Sequence, residues 1–203
     1  MIKRFNWTVR QFSSILTAVQ TWDSGDEPAG RDAKKSTNQE ENVMDKHQVI
    51  QHVRDTAEGY FQRGEFFCSE AVIHTINELL GWPFPQEVTR LASAFPIGLG
   101  KSGCLCGAVS GGSMALGMAY GRDHGQAMDE RMFPLSAGLH DHVRDAYKST
   151  CCRVLVKNYE FTSPERKAHC VGITGEVAAW VAARLLEDER LAEQIELATG
   201  TGV

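Results

Sequence analysis

Six cysteines carry most of the chemistry available to this chain: Cys68, Cys104, Cys106, Cys151, Cys152 and Cys170. A thiolate is both a nucleophile and a soft metal ligand, so these residues open two routes, metal coordination and thiol–disulfide exchange. Their spacing removes several standard forms. There is no Cys-x-x-Cys, which excludes a thioredoxin-type site, and no Cys-x-x-Cys-His for a covalently held haem. Neither a zinc-finger nor a ferredoxin pattern fits. Cys151 and Cys152 are neighbours, and adjacent side chains on a helix diverge by about 100°, so a regular helix does not aim both at one metal. Cys104 and Cys106 could share one side of an extended loop. Four ligands can be drawn from six candidates, and the residues alone leave open which four.

The densest chemistry lies in Gly103-Cys104-Leu105-Cys106-Gly107-Ala108-Val109-Ser110-Gly111-Gly112. Glycines let the backbone approach a bound group closely, so that amides point at sulfur. Packing does not call for two cysteines in such a loop, and Gly103, Gly107 and the cysteines are therefore candidate cofactor-binding residues. The small residues that follow (Ala108, Gly111, Gly112, Ala115, Ala119) read instead as a stripe for tight helix packing. Lys101, Arg153 and His169 are candidate cations near a negative metal–thiolate centre, with ordinary surface charge the competing reading for the first two. His140-Asp141-His142 resembles a metal motif, but positions i and i+2 on a helix lie about 200° apart, so these are read as solvent-facing. His74 and His124 read as structural, and Glu70 as a cap or ion-pair partner. No Ser/His/Asp order and no phosphate loop can be assigned.

The elements that must position these thiols read as helices. Asp45 is the expected N-cap of a helix from His47 to Gln62, which Gly64 ends. A second helix runs from Cys68 to Leu80 and a shorter one from Glu87 to Phe95. Residues 97–107 form a glycine-rich loop, and Ala108 to Tyr120, apolar nearly all round, reads as a buried central helix. Further helices are expected over 126–147 and 149–159, with a turn or helix at Pro164 and a strong helix from Cys170 to Glu189. Each cysteine then lies at or near a helix start, where unpaired amides favour thiolate. The tail after Leu197 should fray. No alternating strand and no internal repeat is evident, so the expected fold is all-α, a compact bundle of six to seven helices around a Gly/Cys-rich loop.

The chain divides at residue 43. Residues 1–22 carry three basic side chains, no acid and an apolar face at helical spacing, and residues 23–42 read as a disordered linker. The first segment is a basic amphipathic helix, an organellar targeting segment, or an over-long start with Met44 as the real initiator. Residues 44–203 are the functional domain, and the net charge of −5 belongs to them entirely. That acidity disfavours nucleic acid as a partner. No run of about 18 apolar residues exists to span a membrane. No secretory signal follows the basic start, and unpaired thiols suit a reducing interior, so the expected location is the cytoplasm. Homo-oligomerisation is open, since the apolar helices exceed what one small core readily hides.

At the cysteines the sequence resembles the C_GCAxxG_C_C family of redox-active proteins, over about residues 50–190. Cys68, in Cys-Ser-Glu-Ala-Val, fits the first cysteine; Cys106-Gly107-Ala108-Val109-Ser110-Gly111 fits CGAxxG; Cys152 and Cys170 fit the third and fourth. Gly117 and Tyr120-Gly121 also look like the family. The resemblance implies redox work through an iron–sulfur cluster, 2Fe–2S or 4Fe–4S, with Cys68, Cys106, Cys152 and Cys170 as metal ligands and a redox protein as partner. Cys104 and Cys151 are extra to that pattern, as alternative ligands, resolving thiols or bystanders. Two further readings stand beside it: a metal-free thiol–disulfide protein using Cys104 and Cys106, and a structural zinc or metal-handling protein.

Overall fold

Asp45 opens the first helix as a full capping box. Its carboxylate accepts the Gln48 amide at 2.8 Å, and Gln48 Oε1 accepts the Asp45 amide at 2.8 Å. The helix, α1 (Lys46–Arg63), ends at Gly64, which takes φ 75° as its left-handed cap. The computed structural model describes residues 45–199. The expected amphipathic helix at 1–22 and the linker at 23–42 lie outside them.

After α1 come α2 (Cys68–Leu79), a 3-10 helix (Gln86–Ala92), a four-residue turn α3 (Pro96–Leu99), α4 (Gly107–Tyr120), α5 (Met132–Tyr147), a second four-residue helix α6 (Cys152–Leu155), α7 (Pro164–Leu185) and α8 (Glu189–Thr199). Among the described residues there is no strand, and the fold is the expected all-α bundle. At 22 residues, α7 packs on α1, α2, α4 and α5. The core joins Val53 of α1, Ile76 of α2, Leu116 of α4, Leu139 of α5, Val177 and Leu185 of α7, and Ile195 of α8, all at most 2% exposed. Filling such positions is the main source of stability in a bundle of this size.

The small-residue stripe of α4 does what tight packing requires. A Cβ on Gly111 would lie 2.9 Å from the Ser69 Cα, and one on Gly112 would lie 2.7 Å from both Leu139 and Val177. These glycines let α2, α5 and α7 close around α4.

Several boundaries differ from those the sequence suggests. Of the turn or helix expected at Pro164 the structure has the helix, with Ser163 Oγ accepting the Arg166 amide; it runs on through Cys170 and ends at Leu185 rather than Glu189. The one expected over 149–159 shrinks to Cys152–Leu155. That over 126–147 starts at Met132, and the 87–95 helix is a 3-10 helix. A separate α8 follows Asp188, whose carboxylate accepts the Arg190 amide, and continues to Thr199, into the stretch expected to fray. Residues 200–203 lie outside the described part.

Candidate functional site

Four of the six cysteines come to one place. Cys68 is the first residue of α2, Cys106 precedes α4, Cys152 begins α6, and Cys170 lies in the second turn of α7. All four line a single cavity of about 390 Å³ with Phe61, Phe67, Pro96, Ile97, Ile173 and Phe161 among its walls. Cys106 and Cys152 are buried, while Cys68 and Cys170 are half-buried. Helical periodicity and the Ser163–Pro164 start place Cys170 away from a helix N-terminus, so for it alone the argument from helix-start amides does not apply.

The glycine loop packs closely against Cys68 and Cys152. Residues 97–101 have φ between 47° and 74° throughout, and Ile97, a β-branched residue, is among them at φ 59°. A left-handed turn at such a residue is costly and persists only when its surroundings hold it. Gly98 must stay bare, because a Cβ there would meet the Cys104 amide and lie 2.9 Å from the Cys152 Cβ. Gly107 lines the cavity, and a Cβ on it would lie 2.5 Å from Cys68 Sγ. Gly103 faces elsewhere: its carbonyl accepts the Arg153 amide at 2.9 Å, and a Cβ would lie 3.0 Å from the Arg153 side chain.

Backbone amides aim at two of the sulfurs. The Ser69 amide points at Cys68 Sγ, and the Ala108 and Val109 amides at Cys106 Sγ. Burial outweighs them. It pushes the Cys106 thiol up to about 12, against the two amides, and raises Cys68, where the neighbouring Cys106 and Cys170 add to it. Cys152 and Cys170 are also raised by burial, with Arg166 opposing. Buried, protonated thiols are poor nucleophiles, so these four are unsuited to thiol exchange without a cation at the site.

The positive charge comes from α7. Arg166 and Lys167 line the cavity, with Arg166 held over the Phe161 ring at 4.2 Å and Lys167 Nζ donating to the Gln62 carbonyl at 2.7 Å. Lys101, Arg153 and His169 do not line it; His169 stacks on Tyr159 at 5.1 Å. With α7 starting at Ser163, Arg166 and Lys167 stand four and three residues before Cys170, on the same helix face. That spacing is the sequence signal for them, and it is visible only once the helix start is set at Pro164.

Cys104 and Cys151 lie outside the cavity lining and form a disulfide, with Cα atoms 4.5 Å apart. The pairing is with each other and not between Cys104 and Cys106. Glu70 is the expected cap: its carboxylate accepts the Phe67 amide at 2.8 Å and the Ser93 hydroxyl at 2.5 Å. His74 packs among Tyr60, Phe66 and Trp82 as a structural residue. His142 departs from a solvent-facing role, since its Nε2 meets Glu176 Oε1 at 2.8 Å. Among the described residues no three His, Cys, Asp or Glu side chains stand close enough together to hold one metal ion.

No curated protein and no solved structure matches the chain. One family model does, described as "Putative redox-active protein (C_GCAxxG_C_C)", over residues 66–184. The matched span contains all six cysteines, the whole glycine-rich loop and all of α2 to α6, although the chain reads Cys106-Gly107-Ala108 where the family's name has Gly-Cys-Ala. Because the match covers more than half of the 203 residues and the whole of the cavity's thiol set, this chain belongs to the C_GCAxxG_C_C redox-active protein family.

Proposed function

We propose that Cys68, Cys106, Cys152 and Cys170 together hold an iron–sulfur cluster and that the protein passes electrons to and from a redox partner protein. The observation that carries this reading is the convergence of four thiols from four separate elements on one apolar cavity. Four sulfurs are the usual donor set of such a cluster, which supplies reversible one-electron chemistry when bound. The chain's own residues then have definite tasks. The amides of Ser69, Ala108 and Val109 donate towards sulfur and stabilise negative charge there. Arg166 brings a cation to the same wall, and Pro96, Ile97 and Ile173 keep water out.

No helix among the described residues is long and apolar enough to cross a membrane. A cytoplasmic setting, in which four thiols stay reduced, suits this function. Residues 44–203, which hold every cysteine, form the functional unit in this reading.

Anaerobic purification, visible absorption spectra and iron and sulfide analysis test the proposal. The expected result is a coloured protein, bleached by dithionite, that contains iron and acid-labile sulfide and loses both in Cys106→Ser. A protein that stays colourless and iron-free after attempted reconstitution removes it. Bound zinc with no response to dithionite would establish the metal-handling alternative, and a metal-free thiol–disulfide protein is the reading left if neither metal is present.

A further inference from the structure

The two cysteines outside the family's four sit where they can act on the other site. Cys104 is two residues before Cys106, and Cys151 is the immediate neighbour of Cys152. Their disulfide joins segments 47 residues apart in sequence. Around it the two segments run antiparallel, with the Cys106 amide donating to the Thr150 carbonyl at 2.8 Å and the Arg153 amide to the Gly103 carbonyl at 2.9 Å. Those two hydrogen bonds and the disulfide hold the carriers of two cavity thiols against each other. The Cys152 carrier is only a four-residue turn, whereas Cys106 caps α4 and is anchored to it, its carbonyl accepting the Ser110 amide at 3.0 Å. Cys104 and Cys151 are half-buried, whereas Cys106 and Cys152 are only 7% and 8% exposed. A reagent from solution therefore meets the disulfide before it meets those two thiols.

We propose that Cys104 and Cys151 form a second redox site, a reversible disulfide/dithiol couple served by an external dithiol, whose closed state holds Cys152 in the cavity. The exchange balances as follows. A thiolate of the external dithiol attacks one of the two sulfurs, forming a mixed disulfide and breaking the Cys104–Cys151 bond. The released sulfur leaves as thiolate and takes a proton. The second thiolate of the reagent then attacks the mixed disulfide, freeing the remaining cysteine, which is also protonated. Two electrons and two protons pass from the dithiol to the pair, and the reagent ends as its own disulfide. With the covalent link gone, the loop and the turn are joined by noncovalent contacts alone, among them the two backbone hydrogen bonds. Their opening becomes easier than that of α2, which is packed into the core and carries Cys68. The coupling builds on the reading of the four thiols as one site, while the disulfide chemistry stands without it.

The test uses the full-length chain with its iron chelated, so that the readout does not depend on a cluster. The protein is compared as oxidised and after dithiothreitol treatment and removal of the reagent, with alkylation by iodoacetamide followed by mass spectrometry. In the oxidised chain Cys104 and Cys151 should be found linked and protected. Reduction should free both, and re-oxidation should restore that pair. In the reduced chain, alkylation of Cys152 should speed up by about tenfold, more than that of Cys68 or Cys106, with helical content unchanged by circular dichroism. A different pairing, or a link that does not re-form, overturns the redox couple. Equal alkylation rates in the two states overturn the hold on the cavity. Loss of helix on reduction also overturns the proposal, because the disulfide is then a permanent staple. A protein that passes this test but takes up no iron before chelation or on reconstitution removes the cluster reading alone.

Discussion

A methyl group on residue 107 would lie 2.5 Å from the Cys68 sulfur and 3.1 Å from the Phe95 carbonyl, so the glycine there is set by the site rather than by the helix it begins. Gly107→Ala should push Cys68 out of place. We expect it to cost about 1–3 kcal/mol of stability, the usual range for overpacking, and to abolish most iron incorporation. Denaturant unfolding and iron analysis check the two effects, and Gly117→Ala, inside the same helix with nothing within 4 Å of the added atom, is the control that costs no stability and leaves iron content unchanged. The thiols themselves were legible in the sequence, as were the glycines between them, because their types are unusual in combination. Arg166 was not. It is one of many surface-type cations until the start of α7 places it four residues before Cys170 on one face.

At the scale of elements, three helices meet at Glu176 of α7. Its carboxylate accepts from Arg54 of α1 and pairs with His142 of α5. Burial pushes the Glu176 carboxyl up, but the hydrogen bonds from Arg54 and His142 more than reverse this and leave it below the ordinary carboxylate value. A group whose folded value is depressed adds stability above its unfolded value and loses it as pH falls through the folded one. Glu176→Gln should therefore destabilise the bundle by about 1–3 kcal/mol at neutral pH and much less in acid. Urea titrations of both proteins across the carboxylate range check this, and an equal loss at every pH would contradict it. The helices themselves were readable wherever apolar residues recur at three and four. The first turn of α7 offers polar Glu165, Arg166 and Lys167 instead, so its start rests on Ser163 and Pro164 alone. The glycine loop has no period to read: its left-handed course is held by contacts with Cys152 and α4.

For the whole molecule, the disulfide closes a loop of 47 residues spanning α4 and α5. Chain-entropy arithmetic gives about 4 kcal/mol for a loop of that length, an upper figure if the reduced chain keeps structure. Reduction should lower the denaturant midpoint by up to that equivalent, and Cys104→Ser should reproduce the loss, with no further change on adding dithiothreitol. The all-α architecture was legible at this scale because its signal is local. The pairing of Cys104 with Cys151 was not, since it depends on two distant segments running side by side. It also alters the argument from compartment: six unpaired thiols point to a reducing setting, but four thiols beside one disulfide fit there only if that bond is transient.

The contact of Gly111 with Ser69 has a consequence for how the centre is assembled. Two backbones that touch without an intervening side chain behave as a single solid piece, and this piece carries Cys68 and leads directly from Cys106. In the proposed cluster site, half of the thiol set is thus built in advance, while Cys152 waits on a turn of four residues. Amide hydrogens along α4 should be the last to exchange with heavy water and those of α6 among the first, so a cluster of the proposed kind should be gained at the α2–α4 side and lost from the α6 side.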